Sequence, residues 1–412
     1  MDIQLPKDVQ FILNTLSEAG HAAYIVGGCL RDAVMGISPK DFDFTTSALP
    51  HEVKSLFPRC VDTGIDHGTV TVVIDRSNYE VTTFRMDGVY LDGRRPEDVT
   101  FTADIKEDLS RRDFSMNAIA YSPLEGLVDP FDGLADIRKK NIRCVGFAPA
   151  RFEEDALRMM RAVRFAAQLD FSIDPDTFVA ILSMAERLSL VSMERVREEF
   201  TKTLAGQNPA ALVLLEETRL LPQILRGADF NGDIGKIIPW LIQCPKEPAM
   251  LYALFLFDSF IGCRDEAKDR AKDRAKNFMR HLKFDNQTVN ETTSLVRYLK
   301  EPLANNRYAV KVLLNKIGPV QFGKLLTLKK IICPRKACHW ESLRVVSDDI
   351  LMSGECFLLK DLAVNGQDLI EAGIPAGKWL GRILADLLNL VMIDPSLNQK
   401  EQLLKLVSSG GL

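Results

Sequence analysis

Two aspartates separated by one residue are the first candidates for chemistry in this chain. Asp41 and Asp43 lie in the segment Lys-Asp-Phe-Asp-Phe-Thr-Thr, and residues two apart on a β-strand share a face. Their carboxylates are therefore expected on one side, with Phe42 and Phe44 pointing into the core. Neighbouring carboxylates repel each other unless cations lie between them, and Mg²⁺ is typically held by one or two carboxylates together with substrate phosphates. The pattern predicts two metal ions that activate an attacking hydroxyl and stabilise a leaving pyrophosphate. The simpler alternative is an acidic strand edge.

A third carboxylate lies on another alternating segment, Tyr-Glu-Val-Thr-Thr-Phe-Arg. Glu80 shares a face with Thr82 and Phe84 if this segment is a strand. From there it could bind the second metal or take the proton of the attacking hydroxyl. It could equally be a surface residue, and the sequence leaves both interpretations open.

Two glycines between a strand and a helix indicate a place where the backbone can approach an anion. The segment Ala-Ala-Tyr-Ile-Val runs into Gly27 and Gly28, and a helix is expected from about Leu30 to Gly36. A helix N-terminus offers N–H donors and partial positive charge to a triphosphate. Arg31, in the first turn, can add a charge-assisted contact. Taken alone, this pattern also fits an ordinary tight turn.

The basic segment Arg-Arg-Asp-Phe-Ser-Met-Asn, at 111–117, could complete this anion site. Arg112 can hold the triphosphate while Asp113 and Asn117 fix the loop. A pair of basic residues is often simply exposed to solvent. This segment therefore indicates a phosphate site only in combination with the other segments.

The segment Glu-Asp-Ala-Leu-Arg-Met-Met-Arg-Ala-Val-Arg-Phe, at 154–165, could read a nucleobase. Asp155 and Arg158 are predicted on one helix, three residues apart and therefore neighbours on its surface. Cytosine and adenine present an amino donor beside a ring-nitrogen acceptor, which an aspartate and an arginine can match. Guanine and uracil reverse this order and would leave a buried group unpaired. The alternative is an intrahelical salt bridge. Arg161 and Arg164 continue the three-residue step, and Arg164 has turned far enough to meet phosphate or protein rather than the base.

The elements that must position these residues change character along the chain. Short β-rich segments at 22–26, 41–45, 69–74 and 79–85 lie in the first ~145 residues, each bounded by Gly, Pro, Asn or Asp. From about Arg151 the apolar residues recur at helical spacing to the end. We predict an α+β head, with a mixed β-sheet and helices, followed by helical domains. The charged repeat at 267–276 is expected to be an exposed helix, with pairs such as Asp269 with Lys272, rather than an RNA-binding strip.

Composition limits the class of protein. The 412 residues are 46% hydrophobic and 26% charged with a net charge of −4, which is typical of a soluble chain of several domains. RNA would need a local basic surface rather than a basic average. Eight dispersed cysteines favour a reducing compartment, and the N-terminus lacks a signal-peptide pattern. The longest apolar run, at 250–257, is too short to span a bilayer. We expect a cytoplasmic protein without membrane contact and leave its oligomeric state open.

Six ordered blocks resemble the class II tRNA nucleotidyltransferases, and in particular the bacterial CCA-adding enzymes of the DNA polymerase beta-like superfamily. The blocks are Gly-Gly-Cys-Leu-Arg-Asp, Asp-Phe-Asp, His-Gly-Thr-Val-Thr-Val, Glu-Val-Thr-Thr-Phe-Arg, Arg-Arg-Asp-Phe-Ser-Met-Asn-Ala and the segment at 154–165. The likeness is continuous over about residues 20–180 and patchy beyond. Leu-Ala-Val-Asn-Gly-Gln-Asp-Leu-Ile, at 362–370, is similar to a C-terminal segment of that family.

The resemblance implies a head at 1–145, a neck at 146–215, a body at 216–300 and a tail at 301–412 that binds tRNA, the last three helical. It implies CTP and ATP as substrates, the tRNA 3′ end as primer and Mg²⁺ as cofactor. Asp41 and Asp43 become the metal ligands, with Glu80 as a third catalytic carboxylate. The residues implied at the nucleotide are Gly28, Arg31, Arg112, Asp155, Arg158, Arg161 and Arg164.

The resemblance leaves the product open. Some relatives add only CC or only A, and the segment Arg85–Thr100 resembles the flexible loop that CC-adding relatives lack. This argues against a CC-adding enzyme and leaves CCA addition, A addition and poly(A) polymerase activity. A further alternative is a tRNA-binding protein that keeps the fold without catalysis, and the presence of Asp41, Asp43 and Asp155 argues against it.

Overall fold

The structure, a computed structural model, describes residues 4–39, 41–88, 99–226, 232–259 and 268–408. The chain divides into two compact units, Met1–Ala228 and Asp229–Leu412. The first unit contains a mixed β-sheet with helices, and the described part of the second is helical. This confirms the predicted α+β head followed by helical domains, while the finer division into neck, body and tail stays a prediction.

A seven-stranded sheet organises the head, with the strand order β3-β4-β5-β2-β1-β8-β9. Two short ladders, β6 with β7 and β10 with β11, lie beside it. The strands are β1 (Ala23–Val26), β2 (Asp43–Thr46), β3 (Cys60–Gly64), β4 (Thr69–Ile74), β5 (Ser77–Thr83), β6 (Arg85–Asp87), β7 (Val99–Phe101), β8 (Ala120–Ser122), β9 (Gly126–Val128), β10 (Asn141–Ile142) and β11 (Ser172–Ile173).

The middle of the sheet places the candidate carboxylates. β2 runs antiparallel to β1 and parallel to β5, and Asp43 lies opposite Glu80 in the parallel ladder. Phe44 alternates to the other face and is 1% exposed, as the strand pattern predicts. On the Asp43 face, Tyr24 and Phe84 belong to a buried cluster that anchors the sheet.

The strand predicted from residue 41 begins two residues later than expected. Val26 is paired with Asp43 and is the last residue of β1. Gly27 then turns the chain into a helix, so Asp41 has no ladder partner on β1 and lies in a bend, exposed to solvent. Phe42 is half-buried rather than a core residue. The segments predicted at 22–26 and 69–74 are strands, and the segment at 79–85 is divided between β5 and β6.

Helices form most of the remaining described chain, as the apolar periodicity predicts. They are α1 (Lys7–Glu18), α2 (Gly28–Val34), α3 (Pro50–Leu56), α4 (Ile105–Ser110), α5 (Gly133–Arg138), α6 (Ala148–Glu154), α7 (Leu157–Leu169), α8 (Pro175–Met184), α9 (Met193–Leu204), α10 (Val213–Glu217), α11 (Leu220–Leu225), α12 (Ile234–Gln243), α13 (Pro248–Ser259), α14 (Lys268–His281), α15 (Asn286–Leu299), α16 (Arg307–Ile332), α17 (Ala337–Met352), α18 (Gly366–Glu371), α19 (Lys378–Ile393) and α20 (Lys400–Ser408).

Two details of the helical region differ from or extend the prediction. The strand β11 interrupts the predicted helical pattern because it pairs in parallel with β10 of the head. The charged repeat is helical from Lys268 onward, within α14, whereas the side chain of Asp269 lies outside the described residues. Within the described ranges, no helix combines the length and the apolar character needed to cross a membrane.

Candidate active site

An open cavity of about 470 Å³ in the first unit gathers most of the predicted site residues. Seven arginines and three aspartates contribute to its wall, which gives it the charge expected of a polyanion site. The lining residues are Gly27, Gly28, Arg31, Asp43, Arg111, Arg112, Asp113, Asn117, Asp155, Leu157, Arg158, Arg161, Arg164, Phe165 and Arg195. All seven residues predicted at the nucleotide are among them, together with Asp43. Asp41 and Glu80 are not.

The turn between β1 and α2 is built on Gly27. Its φ of 77° lies in the left-handed region that favours glycine. A Cβ at this position would lie 3.1 Å from Arg112 Nη1 and 4.0 Å from Asp43 Oδ2. The helix begins at Gly28 rather than near Leu30, because the chain turns directly after the last β1 pair. The backbone of this turn therefore lies directly against the charged wall of the cavity.

Asp43 is an exposed residue at the start of β2, and charges of both signs act on its carboxyl in the cavity wall. Partial desolvation by the surrounding protein raises the pKa of this carboxyl, Arg112 lowers it, and the charge of Asp41 raises it. The two aspartates are thus close enough to repel each other, and a cation between them would relieve that repulsion. Paired carboxylates are the hard oxygen ligands that a divalent ion such as Mg²⁺ prefers, so the residues present fit such an ion.

Glu80 lies beside this pair without completing a three-ligand cluster. It is exposed on β5, opposite Asp43 in the ladder. Within the part of the chain that the structure describes, no three acidic, histidine or cysteine side chains gather closely enough to hold a metal ion. Any metal at Asp41 and Asp43 would therefore take its remaining ligands from substrate or water.

Arg112 reaches the cavity from the turn that follows α4. Its Nη2 lies 3.5 Å from Asp108 Oδ2, and Asp43 also stabilises its charge, although burial lowers its pKa. Its Nε is buried without a hydrogen-bond partner among the described residues. Arg112 is thus held by charge while donor capacity remains for a ligand.

Asp113, predicted only as a residue that fixes the loop, organises one wall of the cavity. It accepts hydrogen bonds from Arg161 Nε at 2.6 Å and from Asn117 Nδ2 at 3.2 Å, and Asn117 in turn accepts from Arg31 Nη1 at 2.8 Å. Burial by itself raises the pKa of Asp113, but Arg161, Arg158 and the hydrogen bond from Asn117 outweigh it and lower the pKa to about 2. The predicted triphosphate ligand Arg31 and Arg161 of α7 are therefore linked through Asn117 and one ionised carboxylate.

The prediction that Asp155 and Arg158 share one helix is wrong. The helix breaks at Asp155, whose φ of −147° and ψ of 103° are extended and which ends α6. Its carboxylate accepts a hydrogen bond from the Leu157 amide at 3.0 Å, and this contact stabilises the start of α7 instead of continuing α6. Both side chains still line the cavity. The break therefore changes which backbone elements carry them, but both remain at the same site.

Neither predicted base reader is paired with the other. Arg195 Nη2 of α9 donates to Asp155 Oδ2 at 2.7 Å. Arg158 donates to Glu154 Oε2 at 2.8 Å and to the backbone carbonyl of Arg111 at 3.0 Å. The intrahelical salt bridge considered as the alternative is thus absent between this pair, and each side chain is held by its own partner.

The side chain of Arg164 contacts other protein residues, which is one of the two contacts predicted for it, phosphate or protein. Its Nε lies 2.5 Å from Glu199 Oε2, and its guanidinium stacks 3.9 Å from the centre of the Phe165 ring. Arg31 and Arg161 lie 5.2 and 5.5 Å from the same ring, within the range of a cation–π contact. Phe165 therefore contacts three arginines, which lie together at one side of the cavity.

Three charged residues that hold the predicted site residues in place were not predicted from the sequence. Arg195 and Glu199 are four residues apart on α9 and hold Asp155 and Arg164, whereas Asp108 on α4 holds Arg111 and Arg112. Their spacing on α9 places them on one helix face, which was the available signal. What they hold could not be read from the sequence, because the partners lie on other elements.

Three family models match successive parts of the chain. A poly A polymerase head domain matches residues 23–143, and an RNA and SrmB-binding site of polymerase A matches residues 170–230. A tRNA nucleotidyltransferase domain 2 matches residues 268–407. The first of these contains the Gly27–Gly28 turn, Asp43 and the arginine segment at 111–117, which form one part of the cavity wall, whereas α7 and α9 contribute residues beyond that match.

Curated relatives match over almost the whole chain. A CCA-adding enzyme of Levilactobacillus brevis is 36% identical over 416 residues, which covers 98% of each protein. A CCA-adding enzyme of Geobacillus thermodenitrificans is 40% identical over 405 residues, covering 95% of this chain and 94% of the relative.

Solved structures show the same similarity in three dimensions. The Bacillus stearothermophilus CCA-adding enzyme in complex with CTP has a TM-score of 0.79 and 32% identity, covering 99% of this chain and 98% of its own. The Thermotoga maritima CCA-adding enzyme complexed with a CCA-bearing tRNA has a TM-score of 0.61 at 21% identity, covering 99% and 97%. This second likeness concerns the fold alone.

Proposed function

Because this chain belongs to the family of CCA-adding enzymes, we propose that it completes tRNA 3′ ends by adding C, C and A from CTP and ATP with release of pyrophosphate. The observation that carries this proposal is that Asp43, the Gly27–Gly28 turn and seven arginines line the same cavity. The proposed triphosphate ligands and base readers line the same space, so one nucleotide can contact both.

The triphosphate is proposed to bind against the turn that begins α2. Gly28 supplies backbone, while Arg31 and Arg112 supply positive charge. Arg161 and Arg164 add charge from α7, where Asp113 and Glu199 hold them in fixed positions. Fixed donors cost no reorganisation when negative charge moves onto the leaving pyrophosphate, which is how such sites lower a barrier.

Enzymes of this family depend on a metal ion, and we propose that Mg²⁺ is held by Asp41 and Asp43. When bound, Mg²⁺ would polarise the reacting phosphate and neutralise charge on the pyrophosphate. Glu80, opposite Asp43 in the ladder, is proposed to take the proton of the primer hydroxyl or to contribute a third carboxylate. Its exposure on β5 leaves it accessible to a primer.

Base selection is proposed to rest on Asp155 and Arg158. A carboxylate has about four acceptor sites, so the contacts of Asp155 with Arg195 and the Leu157 amide leave capacity for the amino group of C or A. Arg158 would donate to the adjacent ring nitrogen. Uracil and guanine present the reverse order, so their carbonyl oxygen would face the Asp155 carboxylate and their ring N–H would face the Arg158 guanidinium, and neither hydrogen bond could form.

The helical region is proposed to recognise the body of the tRNA. We assign that role to the tail at 301–412, because an isolated nucleotide-binding head has no means of measuring its primer. Work on tRNA would place the protein in the cytoplasm.

Three primers test the proposal. Incubation with Mg²⁺, CTP and ATP should extend tRNA without CCA by C, C and A, and tRNA ending in CC by one A, while a generic RNA should stay unextended. Extension of the CC-ended tRNA alone would indicate an A-adding enzyme, and long adenosine tracts on the generic RNA would indicate a poly(A) polymerase. No incorporation with any primer would end the proposal of catalysis.

A further inference from the structure

Asp108 is a fully buried carboxylate on which several elements of the active site converge. Its side chain is 0% exposed. Oδ1 accepts from Arg111 Nε at 3.0 Å and Nη2 at 2.8 Å and from the Arg85 amide at 3.4 Å. Oδ2 accepts from the Thr45 hydroxyl at 3.2 Å and lies 3.5 Å from Arg112 Nη2. One side chain of α4 therefore touches β2, the start of β6 and both arginines of the 111–117 segment.

Arg112 also interacts with Asp43, which lines the cavity. The turn at Gly27 brings Arg112 Nη1 and Asp43 Oδ2 to 3.1 and 4.0 Å from one point, the position that a Cβ would occupy. Thr45, which donates to Asp108, is two residues beyond Asp43 on β2 and shares its face. The guanidinium thus has one carboxylate at its buried side and a second at the cavity side.

Removing one of two flanking carboxylates changes the direction in which a charged side chain is drawn. With both present, the attractions of Arg112 to Asp108 and to Asp43 oppose each other. With Asp108 neutral, Asp43 and, less strongly, Asp113 would be the carboxylates that still attract Arg112, and Arg111 would repel Arg112 from the buried side. Arg112 would then approach Asp43, where its charge would compete with a cation and would no longer be placed for the triphosphate.

We propose that Asp108 is a positioning residue for the nucleotidyl transfer, which keeps Arg112 off Asp43 and available to the nucleotide triphosphate. The inference rests on the proposed function, since it assigns Arg112 to the triphosphate. It separates two tasks of the site. Asp108 governs the binding and orientation of the phosphates through the side chains of Arg111 and Arg112, whereas Arg195, Glu154 and the backbone carbonyl of Arg111 hold the base readers. Loss of Asp108 should therefore leave base selectivity unchanged.

A double-mutant cycle tests this inference. Asp108→Asn, Arg112→Ala and the double variant are compared with the wild-type chain in two measurements, which are equilibrium binding of ATP without primer and kcat on tRNA ending in CC. Asp108→Asn should lower kcat by about 10–100-fold, the scale of a small misplacement of a reacting group, and weaken ATP binding. In the Arg112→Ala background the same change should cost less than about 2-fold, because coupled sites are not additive. The half-saturating Mg²⁺ concentration should rise for Asp108→Asn and return toward the wild-type value in the double variant.

The inference would be overturned if the fold-loss of kcat in the double variant equalled the product of the losses in the two single variants. A changed ratio of ATP to GTP incorporation in Asp108→Asn would also overturn it. Glu52→Gln is the matched control. Glu52 caps α3 by accepting from the Leu49 amide at 2.7 Å and lies outside the cavity, so its loss should lower thermal stability without changing kcat or ATP binding.

A milder variant keeps the test decisive if Asp108→Asn does not fold. Thr45→Val removes the hydroxyl donor to Oδ2 and leaves the carboxylate charge, and it should lower kcat by about 2–5-fold through Arg112. An equal loss in the Arg112→Ala background would contradict the inference. An inactive wild-type chain would instead contradict the proposed function, so the two failures are distinguishable.

Discussion

Arg195 donates to both carboxylate oxygens of Asp155, from Nη1 to Oδ1 at 3.2 Å and from Nη2 to Oδ2 at 2.7 Å. The two residues lie 40 positions apart, and their ion pair joins α9 to the break between α6 and α7. A two-pronged arginine contact fixes the plane of a carboxylate as well as its position. Arg195 therefore sets the orientation of the aspartate that we propose reads the base.

Arg195→Met should loosen nucleotide selection. The loss of a paired hydrogen bond to a charged group leaves Asp155 free to rotate, and we expect discrimination of CTP and ATP against UTP and GTP to fall by about 10-fold or more. The measurement is kcat/KM for the four nucleotides on tRNA primers, with tRNA affinity unchanged. Arg158→Ala should have an effect of the same kind.

Arg197→Met is the control for this prediction. Arg197 lies on the same helix, is 3.9 Å from Glu198 and does not line the cavity, so selectivity should stay at the wild-type value. If Arg195→Met also kept wild-type discrimination, the orientation of Asp155 would not be what selects the base.

Asp43→Ala should abolish transfer while the enzyme still binds tRNA. Without this carboxylate the proposed cation pair loses a ligand, and we expect kcat to fall by at least about 10³-fold. Pyrophosphate release and tRNA binding are measured on the same preparation. Substantial residual transfer would remove Asp43 from the reaction. Asp41→Ala tests the second proposed metal ligand, which lies in the bend before β2, by the same measurements.

Glu80→Gln decides between the two interpretations of the third carboxylate. If Glu80 accepts the primer proton, kcat should drop by about 10²–10⁴-fold, the range of general-base catalysis, with little change in the KM for ATP. The glutamine keeps the shape of the side chain, so β5 should remain intact. Wild-type turnover in this variant would make Glu80 a surface residue of the strand.

The stability of the head should depend on the ionisation of Asp113. Its pKa is lowered from 3.8 to about 2 in the folded protein, so the carboxylate contributes stability that is fully present above pH 3.8 and is lost as pH falls through about 2. The shift corresponds to about 2 kcal/mol. Urea unfolding of wild type and Asp113→Asn should show a difference in unfolding free energy that shrinks below pH 4. A difference independent of pH would show that Arg161 does not depend on this charge.

Local patterns in the chain were enough to predict the candidate residues and their chemistry. The Gly27–Gly28 turn, the arginine segment at 111–117 and the 154–165 segment each carry a short-range signal that does not need the fold. The alternation of Phe44 with Asp43 and the helical periodicity after about Arg151 come from the same kind of signal, since strand and helix repeats extend over a few residues. The α+β head and the helical remainder follow from them.

Tertiary contacts decided the rest. The orientation of the Asp155 carboxylate depends on a distant partner, Arg195, and the position of Arg112 depends on Asp108 and on the turn at Gly27. Asp41 falls outside β2 because β1 ends at Val26, which is a property of the neighbouring strand. Spacing along a chain shows which side chains can share a face of one element. It does not show which charges from other elements will meet them, because that depends on how the elements pack.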